Sequence, residues 1–304
     1  MTMKKIFTTA LLLIAFISGA SAQLLYKISG KDLQKPSYII GTYHLANVGF
    51  VDSIHGVKDA LTATEQVYGE LDMTDMMSAD NMKKMQNAMM LPEGQSLKTL
   101  LTADQMKRLN AYLKKAMSVD MSNPMVEQQM GRLSPVALTT QLTILMFMTK
   151  HMGEFDPSST FDQYFQAQAK KNKETVGGLE TLDFQIKTLF QGMPVKRQVE
   201  LLMCLIDNET FMQSMTDKVV SAFYAQDLTA LKAAMDEKIG GSCDSTPEED
   251  NTMIYSRNTD WVAKIPAIMS AKPTFFAVGA GHLPGDKGVL HLLENAGYTV
   301  ESVK

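Results

Sequence analysis

The spacing of apolar positions places short strand-like runs at the two ends of the chain and a long stretch of helical periodicity between them. Leu24 to Ser29 and Ser37 to His44 read as two strands joined by the turn-rich GKDLQKP. Asp52 is placed to open a helix reaching about Glu65, and Gln66 to Leu71 (QVYGEL) forms a third strand with Glu70 at its end. From Ser78 to Lys173 strand patterning nearly vanishes. Ser78, Thr102 and Thr160 are each placed to cap a helix, and Ser134-Pro135 opens another with Pro in its first turn. A strand returns at Glu174 to Glu180, and two or three helices cover Asp183 to Lys238. Thr246 and Glu249 have capping-box spacing, so a helix should run from there through Tyr255 to Trp261. Pro273 to Gly279 is a buried strand by its apolar run, Lys287 to Ala296 a helix ended by Gly297, and Tyr298 to Val303 a last strand. The pattern predicts an α/β fold: a mixed central sheet built from N- and C-terminal segments and flanked by helices, with residues 78–173 inserted as a helical cap.

Composition narrows the classes. At 304 residues, with 45% hydrophobic and 20% charged positions, the chain is neither disordered nor a polytopic membrane protein. Its first 22 residues carry Lys4 and Lys5, an apolar stretch from Ile6 to Ser18, and small residues at Ala20-Ser21-Ala22, the layout of a cleavable signal peptide. Residues 23–304 are then expected as one exported domain, periplasmic or extracellular, without an integral membrane span; the apolar run Val136 to Met148 is too short to cross a bilayer. The formal charge of −4 becomes two units more negative once Lys4 and Lys5 are removed, which argues against a nucleic-acid partner. Export permits a disulfide, and Cys204 and Cys243 are the two cysteines available; paired or separately buried, they are open at this point.

The candidate chemistry sits at strand ends. Gly41-Thr42-Tyr43-His44 and Gly279-Ala280-Gly281-His282 each follow an apolar strand, with a Gly to let the chain leave the sheet and a His three positions on. Open α/β sheets place ligands at the carboxyl ends of their strands. Glu70 and Glu180 end two further predicted strands, where a carboxylate beside imidazoles serves as metal ligand or general base. Arg257, with Asn258 beside it, lies on a predicted helix and is a candidate fork for a carboxylate or oxyanion. His55, His151 and His291 carry no motif. Each site residue also has a bland reading, as a helix cap or a solvated ion pair.

Taken together, the paired G-x-x-H motifs, the LLYKISG start, the GELD and GLET segments, the RN-x-x-W helix and the ending VGAGHLPGDKGVLHLLENAGYTV resemble the TraB/GumN family, over nearly the whole chain from about Leu24 to Val303. That family is similar to the animal Tiki metal-dependent proteases, and its core resembles erythromycin esterase and the ChaN-type haem-binding lipoproteins. The resemblance implies His44, His282 and Glu70 as metal-binding and catalytic residues, with Arg257 catalytic and Asn258 supporting. Glu180 carries a less defined role, and Gly41, Gly279 and Tyr43 complete the surroundings. The expected function is a metal-dependent hydrolase of peptide or amide bonds, using a divalent ion (Mn, Co or Zn) on a peptide or small-molecule substrate. The alternatives are a non-catalytic haem or metal binder, with Tyr43 and His44 as axial ligands, and an exported interaction protein on an inactive scaffold.

One number stands apart: 24 Met, of which fifteen fall between Met73 and Met152. Met73, Met76, Met77, Met82, Met85 and Met89 recur at helical spacing, which fits a helix-packing face, a flexible substrate-binding lining or a soft-metal site.

Overall fold

The computed structural model describes residues 23–151, 153–156 and 158–304; the expected signal peptide lies outside the described residues. Six strands form one mixed sheet: β1 (Leu25–Ser29), β2 (Ser37–Thr42), β3 (Gln66–Gly69), β4 (Thr175–Gly178), β5 (Thr274–Gly279) and β6 (Thr299–Ser302), in the order β4-β3-β5-β2-β1-β6. β4, β3, β5 and β2 run parallel, and β1 runs antiparallel to both of its neighbours, β2 and β6. The first and last strands therefore meet, as the pattern of the two ends predicts. β5 is central; Thr274 to Val278 are all buried, which explains why its sequence is a continuous apolar run rather than an alternation.

The main core lies on this sheet. It joins Ile39, Ile40, Phe275 and Phe276 to Trp261, Phe223, Phe161 and Phe165, with the Phe165 and Phe275 rings stacked 5.1 Å apart. The helix Phe161–Lys171, which the sequence reading groups with the helical insertion, thus packs on the sheet itself. A second core forms away from it, where the helices Ala103–Met117 and Pro135–Lys150 bury Leu109, Leu113, Leu138 and Leu142 against Val199, Leu202 and Leu205 of the helix Val195–Asp207.

Most helix starts follow their caps. Thr102 and Thr246 each close a reciprocal capping box, with Gln105 and Glu249. The helix expected from Asp52 is different: Val48–Ser53 is a 3-10 turn and the α-helix spans only Val57–Thr62. Gly56 at φ +73 separates them, and a side chain there would meet Val303, so the C-terminal strand requires the break. The helix expected to end near Trp261 continues to Ala271 through Pro266, held by buried Ile265 and Met269. Cys204 and Cys243 are bonded, with Cα atoms 5.5 Å apart, closing a loop of 39 positions worth about 4 kcal/mol in the chain-entropy picture. No described helix is long and apolar enough to cross a membrane.

Candidate active site

The parallel strands bring four chain exits to one edge. Glu70 directly follows β3, Glu180 lies just past β4, His44 just past β2, and His282 closes the 3-10 turn Ala280–His282 after β5. The β3–β4 ladder continues through Leu179 N–H to Gly69 O and Glu180 N–H to Glu70 O, so the two carboxylates leave neighbouring strands in register. Gly41 and Gly279 do not supply a left-handed turn, since neither has positive φ; they supply room. A Cβ at Gly41 would sit 3.0 Å from Ala280, and one at Gly279 would sit 3.1 Å from Glu70 Oε1.

Arg257 ties this edge together. Its Nε donates to Glu180 Oε1 (2.7 Å), and Nη2 donates to Glu180 Oε2 (2.9 Å) and Glu70 Oε2 (2.7 Å). Nη1 donates to the carbonyl of Met253 (3.0 Å) and meets His282 Nε2 at 3.2 Å. All five N–H groups of the guanidinium are therefore engaged within the protein, and the fork predicted to hold a substrate oxyanion is committed to Glu70 and Glu180 in this arrangement. Met253 lies in a π-helical turn, Asn251–Tyr255, and a second π-turn, Lys187–Gln191, packs against it.

The protonation of His282 follows from its neighbours. Asn258 Nδ2 donates to the carbonyls of His282 (3.2 Å) and Lys287 (2.8 Å), which turns Oδ1 toward His282 Nδ1 at 2.7 Å. Nδ1 must then carry the proton, leaving Nε2 to accept from Arg257. Burial, reinforced by the Arg257 charge, pushes the imidazole down to about 4, so it is neutral at neutral pH. Glu180, with its side chain 2% exposed, accepts from Arg257, Gln185 (3.1 Å) and Trp261 Nε1 (2.9 Å). Glu70 accepts from Arg257, from Gln185 (3.2 Å) and from Gly279 N–H (2.9 Å). Burial works to raise its carboxyl, but the adjoining His282 imidazole, the cations Arg257 and His44 and the Gly279 N–H together outweigh it and hold Glu70 below the usual carboxylate range.

His44 stands apart from this network. Its Nδ1 meets Asp162 Oδ2 at 2.7 Å, while Thr42 donates its hydroxyl to Asp162 Oδ1. Thr42 and His44, two positions apart, reach the same carboxylate. Asp162, by its charge and its hydrogen bond, raises the imidazole to about 9, so His44 is a cation at neutral pH. Its side chain is 74% accessible, but to a cavity of about 660 Å³ that also exposes Glu70, Asp162, Arg257 and His282. The ring of Tyr43 packs against Phe223 (5.6 Å) and Phe147 (6.3 Å), and burial lifts its phenol to about 12, so it is protonated at neutral pH.

The sequence reading gave no site role to Asp162, Thr42, Gln185 or Trp261. Trp261 had a signal, since i,i+4 spacing from Arg257 puts both on one helix face. Asp162 looks like any acid in the first turn after a capping Thr.

The expected metal does not fit these residues as placed. His44 and His282 each have the outer partner a metal-bound imidazole uses, Asp162 and Asn258. The donors do not converge: Arg257 occupies the His282 Nε2 lone pair, and among the described residues no three His, Cys, Asp or Glu side chains are placed to hold an ion.

Comparison with known proteins gives this arrangement its relatives. The chain is similar to the Metalloprotease TIKI homolog of Nematostella vectensis, 25% identical over 88% of this chain and 65% of the relative. Metalloprotease TIKI2 of Danio rerio is 26% identical over 88% of this chain and 58% of that protein, and Metalloprotease TIKI1 of Homo sapiens 25% identical over 88% and 59%. The chain thus spans less than two thirds of the length of these relatives. No solved structure matches, and the expected resemblance of the core to erythromycin esterase and ChaN is not confirmed. The model of the TraB/PrgY/gumN family matches residues 24–302, and the chain belongs to that family.

Proposed function

We propose that the chain is an exported hydrolase of peptide or amide bonds, with His44 and Glu70 as its reacting pair. The observation that carries this reading is that one cavity is lined by a protonated imidazole, His44, and an unprotonated carboxylate, Glu70, whose surroundings drive their proton affinities apart. Three of the four acceptor positions of the Glu70 carboxylate are taken by the protein; the fourth, on Oε1, is left for a water. Glu70 takes a proton as that water attacks the carbonyl carbon. His44 supports the developing oxyanion and gives its proton to the leaving nitrogen as the C–N bond breaks. Arg257, Glu180, Asn258 and His282 hold Glu70 in place, and Asp162 holds His44. The part of residues 78–173 that precedes the sheet-packed helix Phe161–Lys171 acts as the cap, consistent with Ile144, Phe155 and Thr160 lining the cavity. Removal of residues 1–22 on export agrees with the disulfide, a bond that persists in oxidising compartments.

The name of the relatives suggests an ion in the reaction, but the donors are not assembled for one, and no step above runs through it. The test is cleavage of a peptide library by protein beginning at Gln23, with chelator and with added Mn, Co or Zn. His44→Ala and Glu70→Gln should each lose on the order of 10²–10⁴ in rate. Wild-type rates in both variants would sink the assignment. A rate abolished by chelator and restored by one of these ions would replace the pair with an ion-based site.

A further inference from the structure

The cavity wall opposite the polar edge has a consistent chemistry. Ile144, Leu189, Ile254, Met73, Met76 and Met235 line it, and they come from three helices and from both π-turns. Met235 packs against the turn that carries His282: a Cβ on Gly281 would sit 2.8 Å from its sulfur. The charged side chains that line the cavity are His44, Glu70, Asp162 and Arg257, and each is paired inside the protein. No Lys, and no further Asp or Glu, appears among the described residues of that lining.

We infer that the cavity takes an internal, uncharged and apolar stretch of substrate chain, so that the enzyme cuts within chains and next to apolar side chains. This inference rests on the hydrolase reading and names its substrate class. An enzyme that trims termini must hold an ammonium or a carboxylate, which calls for an unpaired countercharge in the cavity; bringing a substrate charge in without one is strongly unfavourable. An apolar side chain meets only favourable surface there. The three thioethers, each with several rotatable bonds, adapt to side chains of different shape, so selectivity among Leu, Met and Phe is weak while selectivity against charge is strong.

The test uses peptides acetylated and amidated at their ends, with Leu, Met, Phe, Asp or Lys beside the scissile bond, compared with free-ended versions. The expected result is kcat/KM at least about tenfold higher for the apolar set than for Asp or Lys, with no loss on blocking the ends. Ile144→Lys should raise KM for the apolar peptides about tenfold or more while circular dichroism and Tm show an intact fold; if that variant unfolds, Met235→Lys serves the same purpose. A requirement for a free terminus, a preference for Asp or Lys, or unchanged kcat/KM in a folded Lys variant would overturn the inference. Binding of the blocked peptides, read by fluorescence anisotropy on the wild type and on Glu70→Gln, separates the two readings. Apolar peptides that bind without being cut by the wild type would sink the hydrolase and leave the cavity assignment standing; failure to bind them would sink the cavity assignment.

Discussion

Replacing Asp162 with Asn keeps the shape of the side chain and removes the charge that governs His44. That charge first, and the hydrogen bond second, hold the imidazole at about 9. Without them it should return toward its ordinary value near 6.5, a fall of about 2.5 units. At pH 7.5 the protonated fraction then drops from nearly all to roughly one in ten, whereas at pH 5.5 it changes little. With His44 as proton donor, kcat should fall about tenfold at pH 7.5 and less than about twofold at pH 5.5, and the basic limb of the pH–rate profile should move from about 9 toward 6.5. Stability has its own signature. A group whose pKa is raised by folding stabilises fully below its unfolded value and loses that contribution as pH rises through the folded one. The Asn variant should therefore lose stability at pH 6 and match the wild type near pH 10. Since His44 is three-quarters accessible, screening reduces the loss to about 1 kcal/mol. Nitrogen-detected NMR titration of the imidazoles follows His44 directly, and thermal unfolding at the two pH values follows the stability. A His44 resonance that still titrates near 9 in Asp162→Asn would refute the reasoning, as would activity lost equally at every pH.

Arg257→Lys replaces five fixed donors by three mobile ones and leaves oxygens of Glu180 and Glu70 short of partners in a buried place; urea unfolding should show a loss of about 3–5 kcal/mol, and a loss below about 1 kcal/mol would show that the network is not a stability element. His282 is held near 4 by burial, so its contribution is present above about 6.5 and is lost as pH falls toward 4; His282→Gln should flatten that acid limb by up to about 3 kcal/mol between pH 7 and 4, seen as Tm against pH. Gly279→Ala puts a methyl 3.1 Å from Glu70 Oε1, which should displace the carboxylate and lower kcat by about tenfold or more with only a small shift in Tm; an unchanged kcat would mean that the position of Oε1 does not matter to the reaction.

What the sequence revealed and what it hid have physical causes. All six strands were legible as short segments set between turn or capping residues, with a continuous apolar run in β5 and polar–apolar alternation in β6, and the caps at Thr102 and Thr246 were legible because reciprocal capping is local. His44, Glu70, His282 and Glu180 could be found because they sit at strand ends, and parallel strands bring their ends to one edge. Their assignment to one ligand set could not be read in the same way. Which carboxylate faces which imidazole depends on contacts 118 positions apart for His44 and Asp162, and 187 for Glu70 and Arg257. Those contacts divide the site in two: a buried, fully paired cluster around Arg257, and an accessible His44–Asp162 pair across the cavity. The glycines show the same limit. Their spacing is visible in the sequence, but the reason for them, room for Ala280 and for the Glu70 carboxylate, exists only once β2, β3 and β5 lie side by side.

The methionine excess belongs mostly to the architecture. Met121 and Met146 are buried in the second core, and Met89, Met90, Met106, Met117 and Met130 pack on it, so in these helices Met takes places that Leu would otherwise fill. Met76 and Met85 pack on a small cluster around Leu182 and Ile186. Among the described residues of the methionine-rich stretch only Met73 and Met76 line the cavity, where Met235, from outside it, joins them. Met76 belongs to both settings, packing on the cluster that contains Ile186 while lining the cavity wall with Leu189, four positions past Gln185, the amide that donates to Glu180. A change in how the helix Ala79–Ala88 packs on that cluster would therefore move the wall of the cavity without touching Glu70 or His44. Substitutions of Met85 should alter KM before they alter kcat, because Met85 supports the recognition surface and makes no contact with the reacting groups.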